Sequence, residues 1–466
     1  MAGIYQKGVS KILSGVYSRI VAAVSAVQAG TRGIVAYPFT ADWGPVNELG
    51  TYTLGEFSNL FHAENVIDDL TAGKIYLHAS KGKPQKVQGF RMATTDAKVA
   101  LAELAEGGMV LQTLYPTTRK FVVVVKDGVV EGTKTVSLIE AGLELDTFTA
   151  DTLEGLVEKI NASDYIRVKT PGTGLPANTA GVEFKNGDNG ATVTAAQYSA
   201  FLTAMEEDGN ANSFSLDGIY DEAIFATVTN WLTRVRNEGF YVSWAKGGPK
   251  AWDTDITQAN AASIASNYRA IVNVGNGCDG YTAAEMAIFV AARVASVALN
   301  LTLTDETVPY TKVNKKLGIS QREVCKTKGT LIFVMNGDYV EIDEAVNTLT
   351  APTGDEVKEF GKIRVSNTLD YITRDLEAFG NEYKKTKSNT AEARQAYAAM
   401  VEDTYLRPLA SPSNQIIKDD YFYRPDPEYH GDEAIYKPAI DEAFFDSSIT
   451  PTDSMERIYQ KLGVNF

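Results

Sequence analysis

The spacing of apolar residues changes several times along the chain of 466 residues. From residue 194 onwards, short apolar runs alternate with longer segments whose apolar residues recur every three or four positions. This alternation is typical of a mostly parallel sheet covered by helices. The predicted strands of this part are Ser213–Ile219, Phe240–Trp244, Tyr268–Val274 and Leu331–Met335. The predicted helices are Ala195–Asp208, Asp221–Gly239 and Ala283–Ala298, with a turn or short helix at Asn260–Ala265.

The first part of the chain has shorter elements. Residues 1–30 contain four glycines and only short strand-prone pieces, so we expect a frayed terminus or an extended arm there. The predicted strands that follow are Gly33–Phe39, Lys74–His78 and Val87–Met92. The predicted helices are Leu54–Leu60, Val66–Thr71 and Asp96–Glu106.

Residues 111–190 differ in composition from the rest of the chain. Thr118–Leu145 is rich in Val, Thr and Gly, and Asp127-Gly128 between β-branched runs is a strong hairpin signal. Gly172–Gly190 is a loop rich in Gly, Asn and Thr. We therefore expect an inserted, mainly β domain with one short helix at Leu153–Asn161.

The last third of the chain predicts helices followed by an irregular segment. Val365–Phe379 and Thr390–Leu406 have helical spacing, Ser411–Ile449 is rich in Pro, Asp and Tyr, and Met455–Val464 is a strand-capable tail. The chain is thus an α+β or α/β multidomain protein. The predicted ranges are 1–30 (arm), 31–110 (first part of the core), 111–190 (β insertion), 191–350 (α/β domain), 351–450 (C-terminal domain) and 451–466 (arm).

Charge and composition exclude two classes of partner. The formal net charge is −15 and the pI is near 4.9, so we expect no nucleic-acid binding, which requires a basic surface. The most apolar stretch, Ala283–Leu303, carries Glu285 and Arg293 and indicates a buried helix, so we expect no membrane insertion. The two cysteines, Cys278 and Cys325, are expected to be buried thiols.

One segment suggests an enzyme. Gly275–Gly280 matches the G-x-G-x-x-G pattern of dinucleotide-binding loops, so a nucleotide-binding oxidoreductase is an alternative. Two features oppose it: the helix is expected to start after the third glycine, at a capping box of Thr282 and Glu285, and no acidic residue ends a second strand downstream. The three histidines have no metal-ligand spacing, and we expect no catalytic residue, cofactor or metal.

Several segments together resemble the contractile tail sheath proteins of phages and phage-like particles. They are Arg32-Gly-Ile-Val-Ala-Tyr-Pro-Phe-Thr-Ala-Asp-Trp-Gly-Pro, Thr282-Ala-Ala-Glu-Met-Ala, Val346-Asn-Thr-Leu-Thr and Asp453-Ser-Met-Glu-Arg-Ile-Tyr. The resemblance covers nearly the whole chain. It implies a β-sandwich insertion, a subtilisin-like α/β domain without the catalytic triad, a helix-rich C-terminal domain and extended terminal arms.

The resemblance also implies a function and a set of partners. Subunits would form hexameric rings that stack helically around a tail tube, and contraction would drive the tube through the target cell envelope. The partners would be other copies of the chain, the tail tube protein, and baseplate and tail terminator proteins. The particle, a phage tail or a bacteriocin-like device, would be assembled in the bacterial host cytoplasm. A static shell or tube component is a further alternative.

The residues expected at interfaces lie at both termini and in one basic cluster. Arms that add a strand to a neighbour's sheet would link subunits through main-chain hydrogen bonds. The arm residues are Gly15, Val16, Tyr17, Ile20, Met455, Ile458 and Tyr459. Lys384, Lys385 and Lys387 are either a solvated loop between helices or a surface that faces the tube.

Overall fold

The computed structural model describes Gly3–Ile4, Tyr17–Ser18 and residues 32–64, 69–105 and 108–462. The strands, numbered in chain order, are β1 Gly3–Ile4, β2 Tyr17–Ser18, β3 Ile34–Phe39, β4 Leu49–Tyr52, β5 Lys86–Arg91, β6 Val99–Glu103, β7 Val110–Pro116, β8 Phe121–Asp127, β9 Lys134–Glu140, β10 Leu143–Ala150, β11 Ile166–Thr170, β12 Thr179–Glu183, β13 Ser213–Phe214, β14 Ser243–Gly247, β15 Ile271–Val274, β16 Thr307–Val308, β17 Thr330–Leu331, β18 Phe333–Asn336, β19 Tyr339–Ile342, β20 Phe422–Pro425 and β21 Phe445–Ser448. The helices are α1 Leu54–Phe61, α2 Ala72–Gly82, α3 Leu153–Asn161, α4 Ala195–Asp208, α5 Glu222–Asn237, α6 Ala251–Thr254, α7 Ile256–Ser266, α8 Ala283–Ser296, α9 Ile319–Thr327, α10 Ile363–Tyr383, α11 Ala391–Val401, α12 Arg407–Ala410 and α13 Pro427–His430, with a 3₁₀ turn at Lys358–Gly361 and a π-helical segment at Glu402–Leu406.

The chain divides into two units, which are described separately. The body unit consists of Thr31–Tyr371 and Pro451–Phe466, and the helical unit consists of Ile372–Thr450 and Met1–Gly30. The finer domain ranges given by the sequence stay predictions.

A seven-stranded sheet forms the centre of the body unit, in the order β17-β15-β14-β13-β3-β5-β4. All neighbouring pairs are parallel except β4 with β5. Every residue of β3 is buried, because helices cover both faces of the sheet. Val35, Tyr37 and Phe39 point to the core around α2 and α8, and Ala36 points to the core around α4 and α5. The predicted parallel sheet covered by helices is confirmed.

Two smaller antiparallel sheets occupy the region between β6 and β12. Their orders are β10-β9-β8-β12 and β11-β7-β6, and they share one apolar core with Phe121, Leu138 and Ile166 at its centre. The hairpin predicted at Asp127-Gly128 joins β8 to β9, and Val129 at its tip is fully exposed. The match of these sheets to the β-sandwich insertion of the sheath family stays a prediction, as does the subtilisin-like topology.

Two predicted elements were wrong. Lys74–His78 was predicted as a strand but lies in α2, where Ile75 and Ala79 are buried one helical turn apart. Asp96–Glu106 was predicted as a helix but contains β6, whose Ala100 and Ala102 are buried alternately against β7. Its helix-forming residues are overridden by strand pairing, as tertiary context often does.

Other elements differ from the prediction in extent. Residues 65–68, within the helix predicted at Val66–Thr71, lie outside the described residues. The strand predicted at Leu331–Met335 is two strands: β17 ends the central sheet, and β18 pairs with β19 in a separate antiparallel sheet. The strand predicted from Ser213 is only two residues long.

The helical unit contains the second half of α10, α11, α12, α13 and a small sheet. Phe379 packs edge-to-face on Tyr405 at 4.9 Å, and the Tyr405 hydroxyl donates to Asp375 over 2.6 Å. The predicted helices are confirmed. The segment Ser411–Ile449, predicted as irregular, contains β20 and β21.

Some possible features are absent from the described residues. No helix there combines the length and the apolar character that crossing a bilayer requires. The same residues contain no group of three or more His, Cys, Asp or Glu side chains placed to hold a metal ion. Both cysteines are buried and free, as predicted.

A buried histidine makes the body unit sensitive to acid. His78 in α2 is fully buried, with Nδ1 2.7 Å from the Tyr310 hydroxyl and its ring against Tyr281 at 4.7 Å. Burial lowers the pKa of His78 from 6.5 to about 4. The unfolded chain therefore binds this proton more tightly, so the stability that is present above pH 6.5 is lost as the pH falls towards 4.

We expect this effect to cost about 2–3 kcal/mol of unfolding free energy between pH 7 and pH 4.5. Denaturant unfolding at the two pH values should show a smaller loss in His78→Gln than in the wild type. His62→Gln, which replaces the partly exposed histidine at the C-terminal end of α1, is the control variant. Equal acid losses in His78→Gln and the wild type would contradict the assignment.

Candidate subunit-linking segments

The small sheet of the helical unit is held by aromatic side chains. The Tyr423 ring of β20 stacks on the Phe445 ring of β21 with centroids 5.4 Å apart. Tyr397 of α11 packs edge-to-face against both rings, at 5.8 and 5.1 Å. One face of the two-stranded sheet is thereby fixed on α11.

The two outer edges of this sheet differ. Along β20, the Tyr423 N–H donates to the Glu402 carboxylate over 2.8 Å, and Pro425 has no N–H. The Tyr423 N–H and the Pro425 nitrogen both face away from β21. This edge of the sheet is therefore occupied by the Glu402 side chain and by a proline ring. Proline is tolerated in sheets at such outward-facing positions.

The edge of β21 is open. The register places Phe445 opposite Pro425 and Ser447 opposite Tyr423. Opposed residues of an antiparallel pair share one orientation, so the N–H and C=O groups of Phe445 and Ser447 face outwards. Within the described chain β21 pairs with β20 alone, and this edge can therefore accept another strand.

The C-terminal segment belongs to the body unit and presents apolar side chains to solvent. No helix or strand occurs between residues 452 and 462. The exposed fractions are 80% for Met455, 67% for Ile458, 88% for Tyr459 and 89% for Leu462. The strand predicted here is absent from the described residues, which leaves the backbone of this segment available for pairing.

The N-terminal arm residues are mostly outside the described part of the chain. This applies to Gly15, Val16 and Ile20. Tyr17 lies in β2, which pairs in parallel with β1 in the register Gly3 to Tyr17. The assignment of these residues to a subunit-linking arm stays a prediction.

The basic cluster follows the end of α10 and borders a groove in the helical unit. The groove has a volume of about 790 Å³ and is lined by Tyr383, Tyr397 and Arg394 as well as Lys384 and Lys387. The groove therefore combines aromatic walls with three basic side chains, and the acidic Glu377 and Asp441 line it too.

The third lysine of the cluster, Lys385, instead forms an exposed ion pair with Glu382 at 3.3 Å. The structure thus brings two of the three predicted lysines together.

The glycine loop that suggested an enzyme has its N–H groups already occupied. The Gly277 N–H donates to Asp253 over 2.8 Å, and the Gly280 N–H donates to the Asn314 amide oxygen over 2.7 Å. A phosphate would have to displace these acceptors, and the Asp253 carboxylate would repel it.

The helix after this loop begins as predicted. Thr282 caps α8, and Glu285 completes the capping box by accepting the Thr282 N–H over 2.8 Å. Position 277 requires glycine for a steric reason, since a Cβ there would lie 1.8 Å from the Tyr281 carbonyl oxygen. The loop is therefore a tightly packed turn.

The sequence did not predict the sheet of β20 and β21, or the hydrogen bond from the Tyr423 N–H to the Glu402 carboxylate. The signal that could have indicated the strands is the pair of aromatic segments Phe422-Tyr423 and Phe444-Phe445, each at the edge of a polar stretch.

Comparisons with known proteins give relatives over most of the chain. No protein-family model matches. The uncharacterized protein YqbK of Bacillus subtilis strain 168 is 26% identical over 402 residues, covering 80% of this chain and 81% of that protein. The phage-like element PBSX protein XkdK of the same strain is 22% identical over 407 residues, with the same coverage of both chains.

Solved structures match more completely. A sheath tail protein of Desulfitobacterium hafniense superposes with a TM-score of 0.70 and 22% identity, covering 94% of this chain and 100% of that one. The chain has the tail sheath fold. A sheath tail protein of Listeria innocua matches this fold with a TM-score of 0.71 and 19% identity over 92% of this chain and 94% of its own.

A protein from a larger helical assembly also matches this fold. The helical sheath of the anti-feeding prophage in its contracted state has a TM-score of 0.56 and 11% identity, covering 98% of this chain and 100% of that one. The resemblance inferred from the sequence is confirmed. The matching structures are described as sheath proteins and not as enzymes, in agreement with the prediction that this chain is not an enzyme.

Proposed function

We propose that this protein is the subunit of a contractile tail sheath. The observation that carries the proposal is the tail sheath fold over nearly the whole chain, together with an open sheet edge on β21 and a C-terminal segment that exposes Met455, Ile458 and Tyr459. Subunits form hexameric rings that stack helically around a tail tube. A neighbour of this fold, the baseplate of the anti-feeding prophage, is described with six-fold symmetry, which supports the ring number.

Neighbouring subunits are linked by strand addition. An arm of one subunit, either the N-terminal arm or the C-terminal segment, pairs with the outward N–H and C=O groups of Phe445 and Ser447 of another. The contact is heterologous, because an arm meets a different surface on its partner. Heterologous contacts that do not close on themselves produce helical assemblies.

The remaining partners are the tail tube, baseplate and tail terminator proteins. The groove beside Lys384 and Lys387 is suited to an acidic protein surface that also offers an apolar side chain, and we assign it to the tube. Contraction moves domains as rigid bodies from a metastable extended packing to a more stable one. The sheath is assembled in the cytoplasm of the bacterial host and resides in the tail of a phage or phage-like particle.

The proposal is tested by electron microscopy of the protein expressed alone. Hollow, striated cylinders of uniform diameter are expected, because assembly needs only contacts between copies. Deleting residues 1–20 should abolish the cylinders and leave a folded monomer. Cylinders of normal length from the deletion variant would exclude the N-terminal arm from the linkage.

Further measurements distinguish the contractile sheath from a static shell and from an oxidoreductase. A static shell would keep one helical spacing in native particles before and after triggering, whereas a contractile sheath would change it. An oxidoreductase would remain a soluble particle of about 50 kDa and bind a nicotinamide nucleotide, measured by isothermal titration.

A further inference from the structure

The start of the C-terminal segment is held on the body unit by a buried carboxylate. The side chain of Glu456 is only 7% exposed, although it lies in a segment without regular structure. One oxygen forms an ion pair with Lys362, and the other accepts a hydrogen bond of 2.8 Å from the Thr304 hydroxyl. Acidic side chains are rarely buried unless they are paired, so this contact fixes the position of the segment.

The groups around Glu456 are themselves fixed. The Thr304 hydroxyl oxygen accepts the Ala345 N–H over 3.0 Å, which directs the hydroxyl proton towards Glu456. Lys362 also lies 3.4 Å from Glu344, and Glu344 in turn accepts from Arg457 over 2.7 Å. Charges thus alternate from Glu456 through Lys362 and Glu344 to Arg457.

The contacts end at Arg457. Before Glu456, the Thr452 hydroxyl accepts from Arg364 over 3.2 Å, so residues 452–457 are tied at both ends. After Arg457, the side chains of Ile458 and Tyr459 project into solvent. Met455 is exposed as well, but it lies between tied residues, whereas the described residues after Arg457 make no such contact.

We propose that Glu456 anchors the C-terminal arm to its own subunit and that the strand that links subunits begins at Ile458. The inference rests on the proposed sheath function. Met455 then belongs to the held segment and stays with its own subunit. Lys362 directly precedes α10, so a pull exerted by a neighbouring subunit on the arm reaches the body unit at the start of that helix.

Trypsin cleavage of the full-length soluble chain tests the anchor. Cleavage after Arg457 should be slow in the wild type, because its side chain is paired with Glu344 and the preceding Glu456 is anchored, whereas cleavage after Lys461 should be fast. In Glu456→Gln, cleavage after Arg457 should accelerate by about tenfold or more, because the side chain at 456 loses its ion pair with Lys362. Asp338→Asn, which changes an exposed carboxylate in the turn between β18 and β19, should cleave like the wild type.

Removing the other partner provides a second variant. Lys362→Gln should also accelerate cleavage after Arg457, because it leaves the Glu456 carboxylate without its counter-charge. Equal cleavage rates at Arg457 in Glu456→Gln and the wild type would refute the anchor, whatever the chain assembles into.

Assembly is measured on the same variants. Glu456→Gln should give short or no cylinders with the circular dichroism of the wild type unchanged. Fast cleavage together with cylinders of normal length would refute the role of the anchor in linking subunits. Failure of the wild type itself to assemble in any condition would count against the sheath function, while the cleavage result would still decide the anchor.

Discussion

Replacing Ser447 with proline is expected to abolish cylinder assembly and leave the subunit folded. The Ser447 N–H faces the open edge of β21 and takes no part in the pairing with β20. Proline removes this donor, and its ring obstructs a strand that approaches along the edge. The aromatic packing of Tyr423 and Phe445 on α11 is untouched, so the sheet itself should persist.

Ser447→Ala is the matched control, because it removes the hydroxyl and keeps the N–H. Sedimentation and negative-stain microscopy should find cylinders for Ser447→Ala and only monomers for Ser447→Pro. Circular dichroism and denaturant unfolding establish that both variants are folded. Wild-type assembly by Ser447→Pro would mean that β21 does not receive a neighbour's strand.

Asp370→Asn is expected to destabilise the body unit by about 3–5 kcal/mol. The Asp370 carboxylate accepts two bonds from Arg236, of 2.7 and 2.9 Å, and lies 3.0 Å from Arg269. The Arg236 side chain is 3% exposed. An amide at 370 leaves two guanidinium groups without their counter-charge in a poorly hydrated site, which is the costly way to break a buried ion pair.

Denaturant unfolding of the monomer measures the loss. Asp403→Asn removes a partner from the exposed pair of Arg407 and Asp403 and should change the unfolding free energy by less than about 1 kcal/mol. A loss of that small size in Asp370→Asn would show that the buried pair is not a main support of the body unit.

The sequence predicts helices well where local capping defines them. The bounds of α3 and α4 agree with the prediction, since Thr152 and Thr194 cap their first turns and Gly209 ends α4 in the left-handed region. These interactions lie within a few residues of each other along the chain, so periodicity and cap residues contain most of the information.

Strands were harder to predict where pairing decides the structure. β6 consists largely of residues that favour helices, and only its contact with β7 reveals it as a strand. β20 and β21 have four residues each and lie far apart in sequence, so neither shows a clear alternation. Their shared packing on Tyr397 has no local signal.

The residues proposed for the interface show the same limit. Ile458 and Tyr459, which are exposed, could be proposed because apolar residues in a terminal segment are visible in the sequence. Glu456 was missed as a fixed point because its partners Thr304 and Lys362 lie 152 and 94 residues away. From the sequence alone, a charged residue in a terminal segment is expected to be solvated, and only the fold shows that its partner lies beside it.

Because both thiols are buried, the native cysteines should react little with thiol-specific labels. Cys278 and Cys325 are 0% exposed, and burial raises the pKa of Cys325 to about 11, so the reactive thiolate is scarce at neutral pH. A maleimide dye should therefore react only with a cysteine introduced at an exposed position such as Val129. In the proposed sheath, fluorescence energy transfer between dyes on successive rings would report the expected shortening of a single cylinder.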